Sequence, residues 1–324
     1  MQLHGLHHVT AVTGDAPANV DFYTRILGMR LVKKTVNQDD TSAYHLFYAD
    51  MLGSPGTDMT FFDWPRTGPD ERGTDSIIST MFRVNGRDAL AYWAERLDRF
   101  NITRLPMESF AGRDILRFED PEGQRLALVD DGGAPFEGEI WEDAGIPKQF
   151  AIRGFYGVTL SVPTLAQVGM ILTRFLNFEE VSRQPGLDDP SQEVIIYAMD
   201  GGGPGREVHV VVQPDEPRAW LGRGGVHHVA FRLRDGEEQK EWALHLSRSG
   251  LGTSGIIDRF YFKSLYFRIS NGILFELATD GPGFDADEPL ESLGERLALP
   301  PFLEPRRAQI EAGLKPLRAP TLHS

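Results

Sequence analysis

Hydrophobic and polar positions follow the same order in four stretches of the chain. Each stretch begins with a short run of β-branched and aromatic residues that is typical of a strand. The four runs lie at 6–12, 77–84, 155–162 and 226–233. An amphipathic helical pattern follows each of them, at 16–27, 87–99, 165–176 and 237–248. Further strands separated by glycine complete each stretch, so the pattern predicts four βαβββ units and an α+β fold.

Such a unit is a curved sheet with a helix on one side, so two units have to pair before they enclose a cavity. The loop-like segment 131–152 is rich in Gly and Pro and is the best boundary between two halves. We expect a tail at 283–324 that wraps the surface and contains a short helix around 304–313. The expected domains and units are an N-terminal domain 1–140 (units 5–65 and 75–131) and a C-terminal domain 150–282 (units 152–214 and 224–280).

Aligning the four first strands on their apolar positions brings two histidines into one column. That column holds His8, Ser79, Gly157 and His228. In the fourth unit the apolar, helix-facing side is supplied by Val229, Phe231 and Leu233. Because side chains alternate along a strand, His228 should point into the enclosed cavity. The same alignment directs His8 and Thr10 inward.

The last strands align on a glycine that lies four residues before a common column. That column holds Thr60, Ala127, His209 and Glu276. Glu276 lies between Phe275 and Leu277, where an ionised carboxylate needs a cationic partner such as a divalent metal. The alternative is that Glu276 points to water from an edge strand. His209 has no ligand-type residue in its aligned columns, and we interpret it as an ordinary strand residue.

His8, His228 and Glu276 together make a set of two histidines and one carboxylate, which leaves adjacent coordination positions open on a metal. Hydrogen-bonded core histidines are the alternative, but two His-His pairs in the same column of two units favour a metal. His8 belongs to unit one, whereas the other two residues belong to unit four. Units one and four should therefore face each other across the metal, and units two and three should form a pair without one.

Composition narrows the chemistry further. The 324 residues include no cysteine, which excludes disulfides, thiolate metal sites and cysteine nucleophiles. The net charge is −14, and no basic cluster extends beyond Lys33 and Lys34, so nucleic acid is not expected as a partner. No apolar run approaches the ~20 residues that cross a bilayer, and the first residues lack the pattern of a secretory signal. We therefore expect no membrane association and a cytoplasmic location.

With these residues in place, the chain resembles the vicinal oxygen chelate superfamily, which includes glyoxalases and extradiol dioxygenases. Within it, the sequence looks like the hydroquinone-cleaving branch, of the chlorohydroquinone 1,2-dioxygenase type. The resemblance spans nearly the whole chain and is strongest at 5–62 and 224–284. The segments that carry it are GLHHVTAVTGD, FYTRILGMRLVKKTVNQDD, YHLFYADMLGSPGTDMTFF, GGVHHVAF and GILFELATDGPGF.

The resemblance implies Fe(II) held by His8, His228 and Glu276, although Mn(II) or another divalent metal accepts the same ligands. It also implies a small aromatic substrate and O₂ as reaction partners. The residues that would surround the metal and contact the substrate are His7, Thr10, His227, Arg259 and Tyr266. Strict alternation places His7 and His227 on the face opposite the ligands, so a bulge or twist at the strand starts would be required.

The expected reaction is insertion of both atoms of O₂ into an aromatic ring beside a hydroxyl group. His227 is the candidate acid or base, because the pKa of an imidazole lies nearest to neutrality. Arg259 and Tyr266 would hold the second hydroxyl or the developing oxyanion. Two alternatives stay open, namely a surface ion pair of Arg259 with Asp258 and simple strand packing of Tyr266.

Two other functions use the same scaffold. A glyoxalase-like isomerase or lyase with Ni or Zn would usually need four protein ligands, and Thr60 occupies the column where a fourth carboxylate would lie. A protein that binds an aromatic ligand without chemistry would have no need of three metal ligands. The sequence does not distinguish a hydroquinone from a catechol, and it leaves a homo-oligomer open.

Overall fold

The strands and helices form four βαβββ units in chain order, as the repeated pattern predicts. The computed structural model describes residues 1–269 and 272–317. Unit one contains β1 (Leu6–Thr13), α1 (Ala16–Asp21), β2 (Arg30–Val36), β3 (Tyr44–Ala49) and β4 (Asp58–Asp63). Unit two contains β5 (Ser76–Val84), α2 (Arg87–Arg99), β6 (Glu108–Phe110), β7 (Arg113–Glu119) and β8 (Arg125–Asp130).

The second half of the chain repeats this order. Unit three contains β9 (Phe155–Val162), α3 (Leu165–Met170), β10 (Glu179–Pro185), β11 (Glu193–Ala198) and β12 (Glu207–Val212). Unit four contains β13 (Val226–Leu233), α4 (Gly236–Arg248), β14 (Thr253–Asp258), β15 (Lys263–Ile269) and β16 (Ile273–Thr279). The tail contains α5 (Arg307–Gly313), preceded by a 3₁₀ turn at Glu304–Arg306, where the sequence predicts one short helix.

Two eight-stranded sheets join the units in pairs. Sheet one has the order β14-β15-β16-β13-β1-β4-β3-β2, and sheet two has the order β10-β11-β12-β9-β5-β8-β7-β6. The expected pairing of unit one with unit four, and of unit two with unit three, is thereby confirmed. Each sheet takes one unit from each of the halves 1–140 and 150–282. The division of the chain into domains at 131–152 stays a prediction.

The helices cover one face of each sheet and leave the other face to line a cavity. On β13 the alternation is as expected, because Val229, Phe231 and Leu233 are fully buried in the core shared with the helices. Asp235 caps α4 by accepting hydrogen bonds from the backbone N–H groups of the first turn. Gly250 follows that helix with a φ of +79°, a conformation that glycine adopts without strain at a helix C-terminus.

Two helices depart from the sequence expectation at their ends. The patterns at 16–27 and 165–176 predict continuous α-helices, but α1 and α3 each continue as a π-helical turn, at Phe22–Ile26 and Ile171–Phe175. In the first of these turns the Thr24 hydroxyl donates to the carbonyl oxygen of Val20 at 2.6 Å. That oxygen is the acceptor an α-helix would use for the backbone N–H of Thr24, so the hydroxyl competes with the regular ladder.

The tail packs against β2 of unit one. Its Leu299, Leu303 and Ile310 form an apolar cluster with Val36. The fully buried Nζ of Lys33 donates to Asp287 and Glu288, so this basic residue is neutralised by the tail. Residues 318–324 of the predicted tail lie outside the described residues. Among the residues that the structure describes, no helix is long and apolar enough to cross a membrane.

Candidate metal centre

The two central strands of sheet one each contain a bulge at the first histidine of a His-His pair. Leu6 pairs with Phe231 and His8 with Ala230, so His7 is an extra residue on β1. On β13 the register shifts in the same way at His227. A bulge breaks the strict alternation of side chains and lets consecutive residues approach the same side. This supplies the irregularity that the sequence required for His7 and His227.

The second histidine of each pair meets Glu276 of β16. Glu276 Oε2 lies 3.1 Å from His8 Nε2 and 2.9 Å from His228 Nε2. The two Nε2 atoms are 3.3 Å apart. All three side chains are buried, and their ligand atoms lie within 4.8 Å of one another, in the one such group found among the described residues. Glu276 therefore does not point to water from its strand.

The donor atoms fit a divalent metal ion. Glu276 Oε1 is buried and has no hydrogen-bond partner among the described residues. Burial raises the pKa of this carboxyl group, but the imidazoles of His8 and His228 outweigh burial and hold the pKa well below its usual value. A buried carboxylate beside two imidazole nitrogens, with one oxygen unpaired, needs a cation. Imidazole and carboxylate donors suit Fe, Mn and similar divalent ions.

His7 and His227 lie behind the two central imidazoles. His7 Nδ1 is 2.9 Å from His8 Nδ1, and His227 Nδ1 is 2.7 Å from His228 Nδ1. Burial, followed by the charge of the adjacent imidazole, lowers the pKa of each to about 3, so both are neutral at pH 7. His7 Nε2 also lies 3.1 Å from the carbonyl oxygen of Thr279. These contacts orient the rings of His8 and His228. Neither His7 nor His227 lines the small cavity that is next to those two rings.

A small cavity of about 40 Å³ opens beside His8 and His228. Its aromatic lining comes from Phe47, Phe62, Tyr261, Phe262 and Tyr266. Arg259 also lines it, with its guanidinium 3.0 Å from the carboxylate of Asp39 and 5.5 Å from the ring centre of Tyr266. Arg259 is therefore paired with Asp39, and not with the neighbouring Asp258 that the sequence left as an alternative.

Tyr266 lines the same cavity. Its ring is edge-on to the imidazole of His228, with the ring centres 5.8 Å apart. Burial and the charge of Glu276 raise its pKa, so the hydroxyl stays protonated and can donate. Thr10 takes a different position, because its hydroxyl is fully buried and lies 2.8 Å from that of Thr60. Thr10 does not line the cavity.

His45 on β3 is a cavity residue that sequence reasoning missed. Its ring packs between Phe47 and Phe62, with ring centres 4.0 and 4.5 Å away, and its Nε2 lies 3.1 Å from the hydroxyl of Thr60. Burial, then the charges of His8 and His228, lower its pKa well below the usual value. The alternation of side chains on β3 could have predicted this position, because Leu46 faces the core and His45 is therefore on the cavity face.

The chain is similar to known proteins over nearly its whole length. A family model described as the Glyoxalase/Bleomycin resistance protein/Dioxygenase superfamily matches residues 5–128. The chain is 49% identical over 318 residues to MhqA of Bacillus subtilis, which is named as a candidate ring-cleaving dioxygenase, covering 98% of this chain and 100% of MhqA. It is 34% identical to the chlorohydroquinone/hydroquinone 1,2-dioxygenase of Sphingobium indicum, covering 94% of this chain and 93% of that protein.

Solved structures show the same fold. A crystal structure described as a candidate dioxygenase from Bacillus subtilis superposes with a TM-score of 0.86 at 35% sequence identity, covering 98% of both chains. Glyoxalase I of Zea mays superposes with a TM-score of 0.65 at 16% identity, covering 85% of this chain and 94% of the maize chain. The second likeness concerns the fold alone.

Proposed function

Because the chain belongs to the glyoxalase/bleomycin resistance protein/dioxygenase superfamily, we propose that it is an Fe(II)-dependent ring-cleaving dioxygenase that acts on a hydroquinone-type ring. The observation that carries the proposal is the convergence of His8, His228 and Glu276, with one oxygen of Glu276 left without a partner. The general class of ring-cleaving dioxygenase, predicted from the sequence, is confirmed by the relatives. The metal and the substrate are the proposal.

The three ligands support this chemistry over that of a glyoxalase. A site with a fourth protein ligand would have fewer open positions for a substrate and O₂. Thr60, in the column of a fourth ligand, already shares its hydroxyl with Thr10 and His45. The relative from Sphingobium indicum is named for hydroquinones, which favours a 1,4-diol over a catechol as the substrate.

Iron, when bound, would supply Lewis acidity towards a phenol hydroxyl and would let electrons pass from the ring to O₂. Cleavage of the ring bond beside that hydroxyl inserts both oxygen atoms. The product is an unsaturated chain that ends in a carboxylic acid and an aldehyde. Hydroquinone and O₂ supply all of its atoms, so no further reductant is consumed.

The protein's own side chains would bind and orient the ring. Phe47, Phe62 and Phe262 supply flat apolar walls that exclude water from the reacting edge. Arg259 and Tyr266 lie together on the cavity wall and can donate to a second hydroxyl or to a developing oxyanion.

Proton transfer is assigned to His45 in this proposal. His45 lines the cavity, its Nε2 is hydrogen-bonded to Thr60, and burial lowers its pKa, so its ring is a positioned neutral imidazole that can accept a proton from the substrate. The role predicted for His227 stays a prediction. Its contact with the ring of His228 favours a positioning role for it and, by the same argument, for His7.

The test replaces Glu276 by Gln, which keeps the shape of the side chain and removes its charge. We expect bound iron to fall below one tenth of an equivalent and O₂ uptake with hydroquinone to fall at least 100-fold. Metal content is measured after anaerobic loading with Fe(II), and O₂ uptake is measured with an electrode across hydroquinones and catechols. Glu241→Gln, an exposed carboxylate on α4 of the same unit, is the matched control and should behave like the wild type.

Normal iron content and turnover in Glu276→Gln would refute the metal assignment. Uptake with catechols and none with hydroquinones would refute the substrate assignment while leaving the metal centre intact. Absence of O₂ uptake with both substrate classes, in protein that holds iron, would favour the isomerase or lyase alternative.

A further inference from the structure

Sheet two encloses a second cavity, which is larger than the one beside the metal ligands. Its volume is about 490 Å³, against about 40 Å³ in sheet one. Ser79, Ala127 and His209 line it, and these residues occupy the columns that hold His8, Thr60 and Glu276 in sheet one. The cavity is thus the counterpart of the metal centre. Its volume is within the range of about 300–1,000 Å³ that small-molecule sites usually have.

The walls of this second cavity are mainly apolar and come from both units. They include Met81, Phe110, Ile115, Leu187 and Val211. Phe110 lies against the imidazole of His209, with ring centres 5.8 Å apart. The rings of Phe110 and His209 offer flat faces, which favour a planar ligand between the aliphatic walls.

Arg125 has carboxylates nearby but no direct ion pair with any described residue. Arg125 on β8 is half-buried, and among the residues that the structure describes its guanidinium makes no hydrogen bond and no ion pair. Two other arginines of the cavity are satisfied, since Arg117 is bound by Glu108 and Asp188, and Arg72 by Glu119. A half-buried, unpaired guanidinium is costly, and an anion delivered by a ligand would remove that cost.

We propose that the cavity of sheet two is a second binding site, separate from the metal centre, for a small planar carboxylate of the aromatic or conjugated type. The carboxylate binds the guanidinium of Arg125, and the planar body lies between the apolar walls. A neutral ligand of the same shape would leave Arg125 unpaired. A cationic ligand would leave Arg125 without a partner as well, although Asp189 and Glu216 also line the cavity.

The test uses 4-fluorobenzoate as the probe and the full chain loaded with iron under anaerobic conditions. Binding is followed by titration calorimetry and by the ¹⁹F resonance of the probe. We expect Arg125→Met to weaken binding at least tenfold, because it keeps the length of the side chain and removes the charge. Arg87→Met is the matched control, since Arg87 is exposed on the helix of the same unit, and it should bind the probe like the wild type.

Three further measurements locate the probe without relying on Arg125 alone. His8→Ala should retain the binding stoichiometry of this site, whereas Ser79→Phe, which fills the cavity, should abolish it. The neutral probe 4-fluorobenzamide should bind the wild type at least tenfold more weakly than 4-fluorobenzoate. Equal binding of the two probes, unchanged binding in Arg125→Met and Ser79→Phe, or loss of binding in His8→Ala would each overturn the proposal. None of these outcomes depends on whether the enzyme cleaves hydroquinone.

Discussion

Sheet one and sheet two share a backbone design and differ in what their cavities contain. In sheet one the extra residues of the two bulges are His7 and His227. In sheet two the register shifts at the corresponding places, at Ile78 on β5 and at Tyr156 on β9. The bulge is therefore a property of the repeated unit. The side chains placed on the unit, and not the bulge itself, determine whether it can contribute a metal ligand.

The contents of the two cavities follow from the side chains in two columns, one on the first strands of the units and one on the last strands. Sheet one places two imidazoles and a carboxylate there, and its aromatic walls leave little free space. Sheet two has Ser79, Ala127 and His209 lining its cavity from the same columns, and the small side chains of Ser79 and Ala127 leave more space there. The same fold thus forms a small cavity beside the metal ligands and a larger cavity in the other sheet.

The comparison of the two sheets can be tested by substitutions, and the largest change in metal affinity is expected at the bulges. His227→Phe keeps a ring on the bulge of sheet one but removes the nitrogen that contacts His228 Nδ1. Residues that orient a ligating histidine typically contribute about 10–100-fold to metal affinity, and we expect a loss in that range. Affinity is measured by competition with a metal indicator under anaerobic conditions.

The matched change in sheet two is Tyr156→Phe, at the corresponding bulge. It removes the hydroxyl that donates to Glu207 at 3.1 Å in the sheet without the metal ligands, and it should leave metal affinity unchanged. Wild-type affinity in His227→Phe would contradict the positioning role. Equal losses in both variants would contradict the separation of the two sheets.

Much of this arrangement could be predicted from sequence because it depends on period and repetition. The helix predicted at 87–99 has those bounds in the structure. His8, His228 and Glu276 could be found because alternation gives each residue a face and the repeat gives each a column. Alternation and repetition can both be recognised within single strands. The pairing of β1, β13 and β16 then brings the three residues together.

What could not be predicted depends on contacts between distant segments. A bulge shifts the register by one residue and is defined only against the partner strand, so the sequence could say that His7 and His227 require a bulge but could not locate it. His45 was missed although alternation places it in the cavity, because no second histidine shares its column. The pairing of Lys33 with the tail brings together residues about 250 positions apart, with no periodic signal.

A second way to test the comparison is to make sheet two more like sheet one at Gly157. A Cβ at this position would lie 2.6 Å from the carbonyl oxygen of Glu207 and 3.1 Å from Met81 Cε. The column that holds His228 in unit four therefore has no room for a side chain in unit three. Gly157→Ala should lower the free energy of unfolding by about 1–3 kcal/mol, the usual cost of overpacking.

Urea unfolding followed by circular dichroism measures this cost. Gly252→Ala is the control, because a Cβ there would meet no atom within 4 Å. Equal unfolding midpoints for the two variants would show that β12 can move away from β9 at little cost. In that case the absence of a ligand from unit three would have no steric reason.

The smallest change in the free energy of unfolding is expected from substitutions where the helices pack on the two sheets. Trp93 of α2 and Trp242 of α4 are both fully buried, and they differ in the hydrogen bonding of the indole. Trp93 Nε1 donates to the carbonyl oxygen of Phe150 at 2.7 Å, whereas Trp242 Nε1 has no partner among the described residues. Replacing each Trp by Phe removes a similar volume, so the difference between the two variants reports the hydrogen bond.

We expect Trp93→Phe to destabilise the protein more than Trp242→Phe, by about 1 kcal/mol. The first change leaves the Phe150 carbonyl without its donor, and the second removes a buried N–H that was unsatisfied. The free energies of unfolding are compared in urea, with the wild type as the reference. A larger loss in Trp242→Phe would mean that its indole is bonded to a buried water, and that α4 is attached to sheet one as firmly as α2 is to sheet two.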